Sequence, residues 1–218
     1  MRLVVFDVDG TLVDSQHHIV SAMTEGFAAA GLTAPPRAEV LGIVGLSLPV
    51  AVAQLAPLAD LPVQSRIVEG YRAAYLQARM QETAPLYPGA RDCLDRLAGR
   101  PDLRLAVATG KSRRGLDAML EAHGLEGHFV SLQTADGHPS KPHPAMLWAA
   151  LAEAGAAADR AVMVGDTSFD MDMARAAGMP GFGVSWGYHP AAALDAAGAA
   201  LIAGDFSGLT KAIEDWAA

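Results

Sequence analysis

The sequence predicts an α/β protein in which a doubly wound parallel sheet carries an inserted all-helical segment. Four short runs rich in Val, Leu and Ile are too short for helices and are typical of strands covered on both faces. These runs are Leu3–Phe6, Leu103–Ala108, Ala161–Val164 and Phe182–Ser185. Helical patterns separate the later runs, and the alternation of strand and helix predicts a parallel sheet with helices on both sides.

The helices of this alternation are recognised from apolar residues that recur on one face. They are predicted over Gly89–Leu97, Arg114–His123, Pro144–Ala154 and Met171–Ala177. Glycine follows several of them and is a typical helix stop. Cys93, the only cysteine, falls on the apolar face of the first of these helices, so we expect it to be a small buried apolar residue.

Residues 15–87 interrupt the alternation and contain only helical patterns, punctuated by prolines. Two apolar stripes mark the main helices; they are Ile19, Val20, Met23 and Phe27, and Val68, Tyr71, Tyr75 and Leu76. The sequence therefore predicts two domains. Residues 1–14 and 88–218 would form the α/β core, and residues 15–87 would form a helical insertion after the first strand.

The composition excludes several classes of protein. With 218 residues, 51% hydrophobic and 18% charged, the chain buries a sizeable core, and disorder is set aside. The formal charge is −8 and no run of Lys or Arg is present, so we expect no nucleic-acid partner. No segment approaches a membrane span or a signal peptide, and one cysteine forms no internal disulfide, so a cytoplasmic protein is expected. Monomer and homodimer are both compatible with the sequence.

Acidic residues follow two of the predicted strands. Asp7 and Asp9 come directly after the first strand, and Asp166 and Asp170 follow Ala161–Val164. The carboxyl ends of parallel strands share one edge of the sheet, so the four carboxylates can converge there. Capping a turn or a helix is the alternative role for each pair, but it does not explain why both strand ends are acidic. Converging carboxylates repel one another unless a cation is bound, and an all-oxygen acidic site suits Mg²⁺.

Two further segments supply groups that suit a phosphoryl-transfer site. Thr109 ends the strand Leu103–Ala108 and is followed by Gly110, so a hydroxyl and free backbone N–H groups could hold phosphoryl oxygens. Lys141 lies on a loop just before a helix. Taken alone it would be a solvated surface lysine, but facing the acidic edge it would offset the charge of carboxylate and phosphate.

Four motifs occur in a fixed order along the chain: DxDGT from Asp7, a strand ending at Thr109, KPxP from Lys141, and GDxxxD from Gly165. In these motifs, which span nearly the whole chain, the sequence resembles the haloacid dehalogenase superfamily of phosphohydrolases. The resemblance implies a Rossmann-like doubly wound core. It also implies that the helical insertion is an α-helical cap over the active site.

The resemblance also implies catalytic roles. Asp7 would be the nucleophile that forms a phosphoaspartate, and Asp9 the general acid that protonates the leaving oxygen and later activates water. Thr109 and the backbone of Gly110 would bind the phosphoryl group, and Lys141 would neutralise it. Asp9 favours a phosphatase over a dehalogenase, since a halide leaves without a proton whereas an alkoxide needs one.

The same resemblance implies a magnesium site. Its ligands would be Asp7, the backbone carbonyl of Asp9, and Asp166. Asp170 would act at one remove from the ion, by orienting a bound water or Lys141.

Substrate choice is expected to come from the cap, because the contacts of the core go to the phosphoryl group. The segment Gly42–Leu48, named here the cap loop, is predicted to reach the site, with the hydroxyl of Ser47 meeting substrate. A plain connection between helices is an equal interpretation. His17 and His18 open the first cap helix near the hinge, where surface placement is expected and contact with substrate is the alternative. Lys111 receives no role, because Gly110-Lys111-Ser112 resembles the end of a P-loop but Leu105 stands where that loop needs its first glycine.

Three functional hypotheses follow. The first is a Mg²⁺-dependent phosphatase acting on a small phosphorylated metabolite, since the cap and the Thr-Gly-Lys segment resemble those of phosphoglycolate phosphatases and pyrophosphatases. The second is a sugar-phosphate mutase, because β-phosphoglucomutases share every catalytic residue named above. The third is a non-catalytic regulatory protein on the same fold, against which the presence of both nucleophile and acid argues.

Overall fold

A computed structural model describes residues 1–218 and contains one six-stranded sheet, in which every neighbouring pair of strands is parallel. The strands are β1 (Arg2–Phe6), β2 (Leu103–Thr109), β3 (Phe129–Thr134), β4 (Ala161–Gly165), β5 (Gly181–Val184) and β6 (Leu201–Ala203). Their order across the sheet is β3-β2-β1-β4-β5-β6, so β1 lies in the middle and the chain winds outward in both directions. This order confirms the predicted doubly wound α/β fold.

The four predicted strands are present with small differences at their ends; β5, for instance, ends at Val184 rather than Ser185. Strands β3 and β6 were not predicted. Ser131 and Gln133 place polar side chains on the buried face of β3, where the Gln133 amide donates a hydrogen bond to the Ser131 hydroxyl at 2.7 Å. The sequence of β3 therefore lacks an apolar run, and β6 has only three residues.

Ten α-helices surround the sheet or form the insertion. They are α1 (Gln16–Ala29), α2 (Arg37–Leu41), α3 (Leu48–Leu55), α4 (Leu61–Gln81), α5 (Ala90–Ala98), α6 (Arg113–His123), α7 (Ala145–Ala154), α8 (Ser168–Ala176), α9 (Ala191–Ala196) and α10 (Phe206–Ala217). Helices α5 to α8 match the four predicted in the core, although α8 begins three residues earlier than expected. Helices α9 and α10 were not predicted. None of the helices is both long and apolar enough to cross a bilayer.

Strand β1 shows why the sheet is covered on both faces. Val4 and Phe6 belong to the hydrophobic cluster on one side, and Leu3 and Val5 belong to the cluster on the other; all four are fully buried. Because successive side chains of a strand point to opposite faces, a continuous apolar run requires two apolar layers. Helices α5, α6 and α10 supply one layer and α7 and α8 supply the other. Cys93 is buried in the first, as expected.

Helices α1 to α4 enclose a hydrophobic cluster of their own. Its buried members are Ile19, Met23, Phe27, Val40, Val44, Val52, Ala56, Ile67 and Val68. The chain leaves and re-enters the core side by side, because the Asp14 N–H donates to the Pro85 carbonyl and the Tyr87 N–H donates to the Leu12 carbonyl, both at 2.9 Å. The domain boundaries at residues 14/15 and 87/88 stay a prediction.

Helices α1 and α4 approach closely at a glycine. A Cβ atom on Gly26 would lie 2.7 Å from the Ile67 carbonyl oxygen and 3.0 Å from the Tyr71 nitrogen, which are backbone atoms of α4. These atoms cannot move without displacing the helix, so only glycine allows the two backbones to come this near.

We expect Gly26→Ala to lower the free energy of unfolding by about 1–3 kcal/mol, as overpacking does. Alanine is ordinarily the better helix former by about 1 kcal/mol, so a loss identifies steric contact as the cause. Urea denaturation followed by circular dichroism measures it. Gly127→Ala, at a position with no atom within 4 Å of the added Cβ, is the control and should be near neutral. A stabilised Gly26→Ala protein would contradict the close approach.

Candidate active site

Strands β1 and β4 bring aspartates from opposite ends of the chain together. Phe6 and Val164 are partners in the parallel register, and the Asp7 N–H donates to the Val164 carbonyl at 2.9 Å. Asp7 and Asp166 therefore leave adjacent strands at the same edge. Each of Asp7, Asp166 and Asp170 places a carboxylate oxygen within 4.8 Å of the other two, and all three residues are buried. The predicted convergence of these carboxylates is found.

Lys141 is the cation of this cluster. Its Nζ lies 2.8 Å from Asp7 Oδ1 and 2.7 Å from Asp170 Oδ1, and its side chain is 0% exposed. Burial opposes the charged ammonium, but the two carboxylates outweigh it and raise the pKa of Lys141. The surface-lysine interpretation is therefore excluded. Three carboxylates and one ammonium leave an excess of two negative charges when all are ionised.

The Asp7 carboxylate stands apart because no hydrogen bond reaches it. Its Oδ1 lies against Lys141 without hydrogen-bond geometry, and its Oδ2 has no partner. Buried polar atoms are ordinarily paired, so an unpaired carboxylate oxygen indicates a group that awaits a ligand. Burial, reinforced by Asp170 and only partly opposed by Lys141, raises the pKa of Asp7 to about 7.

Asp166 is held from two sides. The Thr11 hydroxyl donates to its Oδ1 and the Tyr188 N–H donates to its Oδ2, both at 2.8 Å. Burial, followed by repulsion from Asp7, raises its pKa well above the ordinary value. Gly10 lies against this carboxylate with φ +87°, and a Cβ there would stand 2.3 Å from Asp166 Oδ2. The glycine of the first motif is therefore required both for the turn and for the approach to Asp166.

Helix α8 fixes Asp170. Its Oδ2 accepts hydrogen bonds from the Thr167 N–H at 3.1 Å and the Thr167 hydroxyl at 2.7 Å. The Asp170 N–H donates in return to the Thr167 hydroxyl at 3.4 Å, which completes a capping box. Asp170 Oδ1 receives Lys141 at 2.7 Å. Both oxygens have protein partners, so Asp170 is placed to position Lys141, in keeping with the role expected from the sequence.

A divalent cation fits this site by chemistry. The donors are all oxygen, the excess charge is two negative units, and a buried Asp7 oxygen lacks a partner. Mg²⁺ prefers a few carboxylates and completes its coordination with water and phosphate oxygens. The assignment of the individual ligands stays a prediction.

The carboxylate of Asp9 does not join the other three. Both of its oxygens receive the Lys111 ammonium at 2.8 Å, and its Oδ1 also accepts from the Ser15 hydroxyl at 2.6 Å. Lys111 donates as well to the Tyr75 hydroxyl of helix α4 at 3.0 Å. Sequence reasoning missed Lys111, and its place in a Thr-Gly-Lys segment beside a predicted site residue was the only available signal.

A cavity of about 580 Å³ opens over these groups. Asp7, Asp9 and Thr109 line it from the core, and the cap loop lines it from above. Thr109 is buried, and its Oγ1 accepts the Lys111 N–H at 3.2 Å, which leaves its hydroxyl hydrogen free to donate. The arrangement places the carboxylates of Asp7 and Asp9 and the hydroxyl of Thr109 around the same cavity.

The cap loop touches the core directly. Its Ser47 N–H donates to the Ser140 hydroxyl at 2.8 Å, and the carbonyl oxygens of Gly45 and Leu46 would lie 2.5 and 2.6 Å from a Cβ on Gly110. Of the two interpretations of this loop, the one that reaches the site is therefore confirmed. Ser47 lines the cavity, but contact between its hydroxyl and substrate stays a prediction.

The two histidines of α1 differ in exposure. His17 is exposed, as expected, but the expectation is wrong for His18, which is buried and lies edge-on to Tyr75 with ring centroids 6.2 Å apart. Burial lowers the pKa of His18. The sequence pattern treats His18 as a polar residue outside the apolar stripe of α1. Its position next to the buried Ile19 nevertheless places it on the side of α1 that faces α4.

A sequence model described as haloacid dehalogenase-like hydrolase matches residues 4–184, which include every motif residue of the site. The chain belongs to the haloacid dehalogenase-like hydrolases. The family predicted from the four motifs is thereby confirmed.

Named relatives narrow the class of this hydrolase. A protein named "Probable phosphatase IndB" from Dickeya dadantii is 38% identical, and the match covers 94% of this chain and 90% of the relative. A phosphoglycolate phosphatase from Agrobacterium fabrum is 31% identical over 97% of this chain and 91% of its own length. A hydrolase from Pseudomonas syringae has a TM-score of 0.89 at 26% identity, with 100% of both chains covered. The predicted enzyme class, a phosphatase, is confirmed by these relatives.

The raised pKa of Asp7 makes the metal-free hydrolase sensitive to pH. The pKa of Asp7 in the folded protein, about 7, exceeds the ordinary value of 3.8. Between these two pH values the folded protein therefore keeps a proton on Asp7 that the unfolded chain releases, and the folded state is stabilised toward the acid end of this range. In EDTA, we expect this contribution to be complete below about pH 4 and lost as the pH rises through about 7.

Asp7→Asn should remove that dependence, so above pH 7 its Tm in EDTA should exceed the wild-type Tm by roughly 2–4 °C for each 1 kcal/mol of relieved repulsion. Differential scanning calorimetry from pH 5 to 8 measures the difference. A wild-type Tm at or above that of the variant at pH 8 would show that the cluster is not under electrostatic strain.

Gly110→Ala should displace the cap loop, because the new methyl group would meet two backbone carbonyl oxygens that have no flexible end. We expect kcat/KM for phosphate esters to fall by about tenfold or more, equivalent to about 1.4 kcal/mol. Steady-state phosphate release measures the effect. Gly137→Ala, in open space after β3, is the matched control. Unchanged kcat/KM in Gly110→Ala would mean that the loop does not rest on Gly110 during turnover.

Proposed function

We propose that this hydrolase is a Mg²⁺-dependent phosphatase that dephosphorylates a small metabolite through a phosphoaspartate on Asp7. The observation that carries the proposal is the Asp7 carboxylate, which is buried, lines the cavity, and pairs with Lys141 through Oδ1 while its Oδ2 has no partner. A buried carboxylate kept only for stability would ordinarily have both oxygens paired. Phosphoglycolate is the first candidate substrate, because relatives at 31–34% identity carry the name phosphoglycolate phosphatase.

In the first step an Asp7 oxygen attacks the phosphorus and the bond from phosphorus to the leaving oxygen breaks. Asp9 gives a proton to that oxygen, which departs as an alcohol. In the second step water attacks the phosphorus, Asp9 takes a proton from the water, and the bond to Asp7 breaks to release inorganic phosphate. Water and ester are consumed, alcohol and phosphate are formed, and both aspartates return to their starting states.

The remaining residues position the phosphoryl group. The Thr109 hydroxyl has a free hydrogen and can donate to a phosphoryl oxygen, as can the backbone N–H of Gly110. Lys141 keeps Asp7 in place and offsets the charge that accumulates on the transferring group. Mg²⁺ held by Asp7, Asp166 and the Asp9 carbonyl would neutralise the phosphoryl oxygens and relieve the repulsion between the carboxylates.

The cavity admits more than a two-carbon acid. Its volume of about 580 Å³ falls in the range of roughly 300–1,000 Å³ that small-molecule sites occupy. A screen for the substrate should therefore extend from phosphoglycolate to sugar phosphates and nucleotides. The cap loop, with the unpaired Ser47 hydroxyl, is the element we propose for selection among them.

Asp7→Asn should abolish phosphate release from p-nitrophenyl phosphate, with a loss of at least about 10³-fold in kcat, because an amide is not a nucleophile here. EDTA should abolish wild-type activity and Mg²⁺ should restore it. Asp172→Asn, on the outer side of α8 where Asp172 pairs with Arg175, is the control and should retain activity. Mass spectrometry after rapid acid quench should find a phosphoryl group on Asp7.

Wild-type turnover by Asp7→Asn would refute the nucleophile assignment, and full activity in EDTA would refute the metal. A sugar phosphate that is isomerised without phosphate release would instead establish the mutase. Each result separates one part of the proposal from the others.

A further inference from the structure

Lys111 occupies a place that the proposed chemistry leaves unexplained. Its ammonium is 2.8 Å from both Asp9 oxygens, and its side chain is 10% exposed. The Tyr75 ring centroid lies 5.0 Å from the same ammonium, and the Tyr75 hydroxyl accepts a hydrogen bond from it. Lys111 therefore joins a core aspartate to a cap helix inside the cavity.

This contact interferes with the role proposed for Asp9 as general acid and base. An aspartate whose two oxygens are both held by one ammonium does not face a leaving oxygen freely. The lysine has to release at least one oxygen when substrate enters. A buried ammonium that loses a carboxylate needs another anion, because an unpaired buried charge is costly.

Three further cations line the same cavity. Arg72 and Arg79 come from α4 and Arg114 from α6, and the Arg79 guanidinium donates to the Arg114 carbonyl at 3.4 Å. None of the three forms an ion pair, although the chain carries a formal charge of −8. Four cationic side chains from the cap and the core thus line one cavity with Asp9, and Lys111 alone among them has a counterion.

We propose that Lys111 is a selectivity residue whose ammonium exchanges Asp9 for an oxyanion on the leaving part of the substrate, with Arg79 and Arg114 completing the anion subsite. The inference rests on the proposed phosphatase function and names the class of its substrates: phosphate esters that carry a second oxyanion, either carboxylate or phosphate. Such a substrate supplies the counterion that frees Asp9, whereas a neutral leaving group leaves Lys111 in place.

Three esters with two-carbon leaving groups test the exchange: ethyl phosphate, 2-phosphoglycolate and 1,2-ethanediol bisphosphate. They differ in the end group, which is methyl, carboxylate or phosphate. We expect wild-type kcat/KM for at least one anionic ester to exceed that for ethyl phosphate by roughly tenfold or more, the effect of a charge-assisted hydrogen bond. The favoured ester identifies the oxyanion as carboxylate or phosphate.

Lys111→Met should lower this ratio toward one, chiefly because kcat/KM for the anionic ester falls. Lys111→Arg should keep a preference for the anionic ester. Arg79→Met, at a partly exposed position, should lower the ratio even if Lys111→Met proves unstable in a thermal melt. Lys211→Met, at the surface of α10, removes the same charge and should leave the ratio unchanged.

The outcomes separate the two proposals. Phosphate release from all three esters with a wild-type ratio near one overturns the anion subsite and leaves the phosphatase intact. A high ratio that survives in Lys111→Met and Arg79→Met overturns the role of these residues. Absence of phosphate release from every ester, including p-nitrophenyl phosphate with Mg²⁺, is a failure of the proposed function itself.

Discussion

Three carboxyl groups that share one ammonium, buried at the carboxyl edge of the sheet, are the constraint on which the surrounding structure depends. Asp7, Asp166 and Asp170 lie within 4.8 Å of one another with Lys141 as their only ammonium. Like charges in a buried site repel strongly, so the rest of the fold has to hold them in place. It does so through the β1–β4 ladder and the capping box of α8. A divalent cation bound there, as proposed, would convert the same repulsion into affinity.

Asp7 and Asp9 show how one short motif can serve two chemical purposes. Two residues apart in sequence, they face different cations: Asp7 meets Lys141 within a cluster that is still negative, whereas Asp9 is fully countered by Lys111. Separate cations hold the two carboxylates in different places, so each can carry out a different part of the proposed reaction. The division depends on lysines that lie more than a hundred residues away in sequence.

The sequence was sufficient for the parts of the protein that rest on local pattern. Asp7, Asp166 and Thr109 follow the ends of predicted strands, so parallel topology alone brings them to one edge. Lys141 follows a strand that was not predicted, and its place at the site came from the resemblance carried by its KPxP motif. Strand β3 escaped prediction because Ser131 and Gln133 satisfy each other by a hydrogen bond, which no hydrophobic pattern reveals. Lys111 and buried His18 depend on where the cap docks, and that contact between distant segments leaves no periodic signal.

The contact between cap and core determines what the cavity presents to a substrate. The helical insertion has its own hydrophobic cluster, against which Tyr188 of the core also packs, and the sheet has others. Where the cap loop meets the core, backbone carbonyls lie against Gly110 and one N–H donates to Ser140. Lys111 adds a charged contact to Tyr75 across this boundary. If Lys111 exchanges Asp9 for an oxyanion of the substrate, as proposed, the same lysine couples the contact between cap and core to the anion that occupies the cavity.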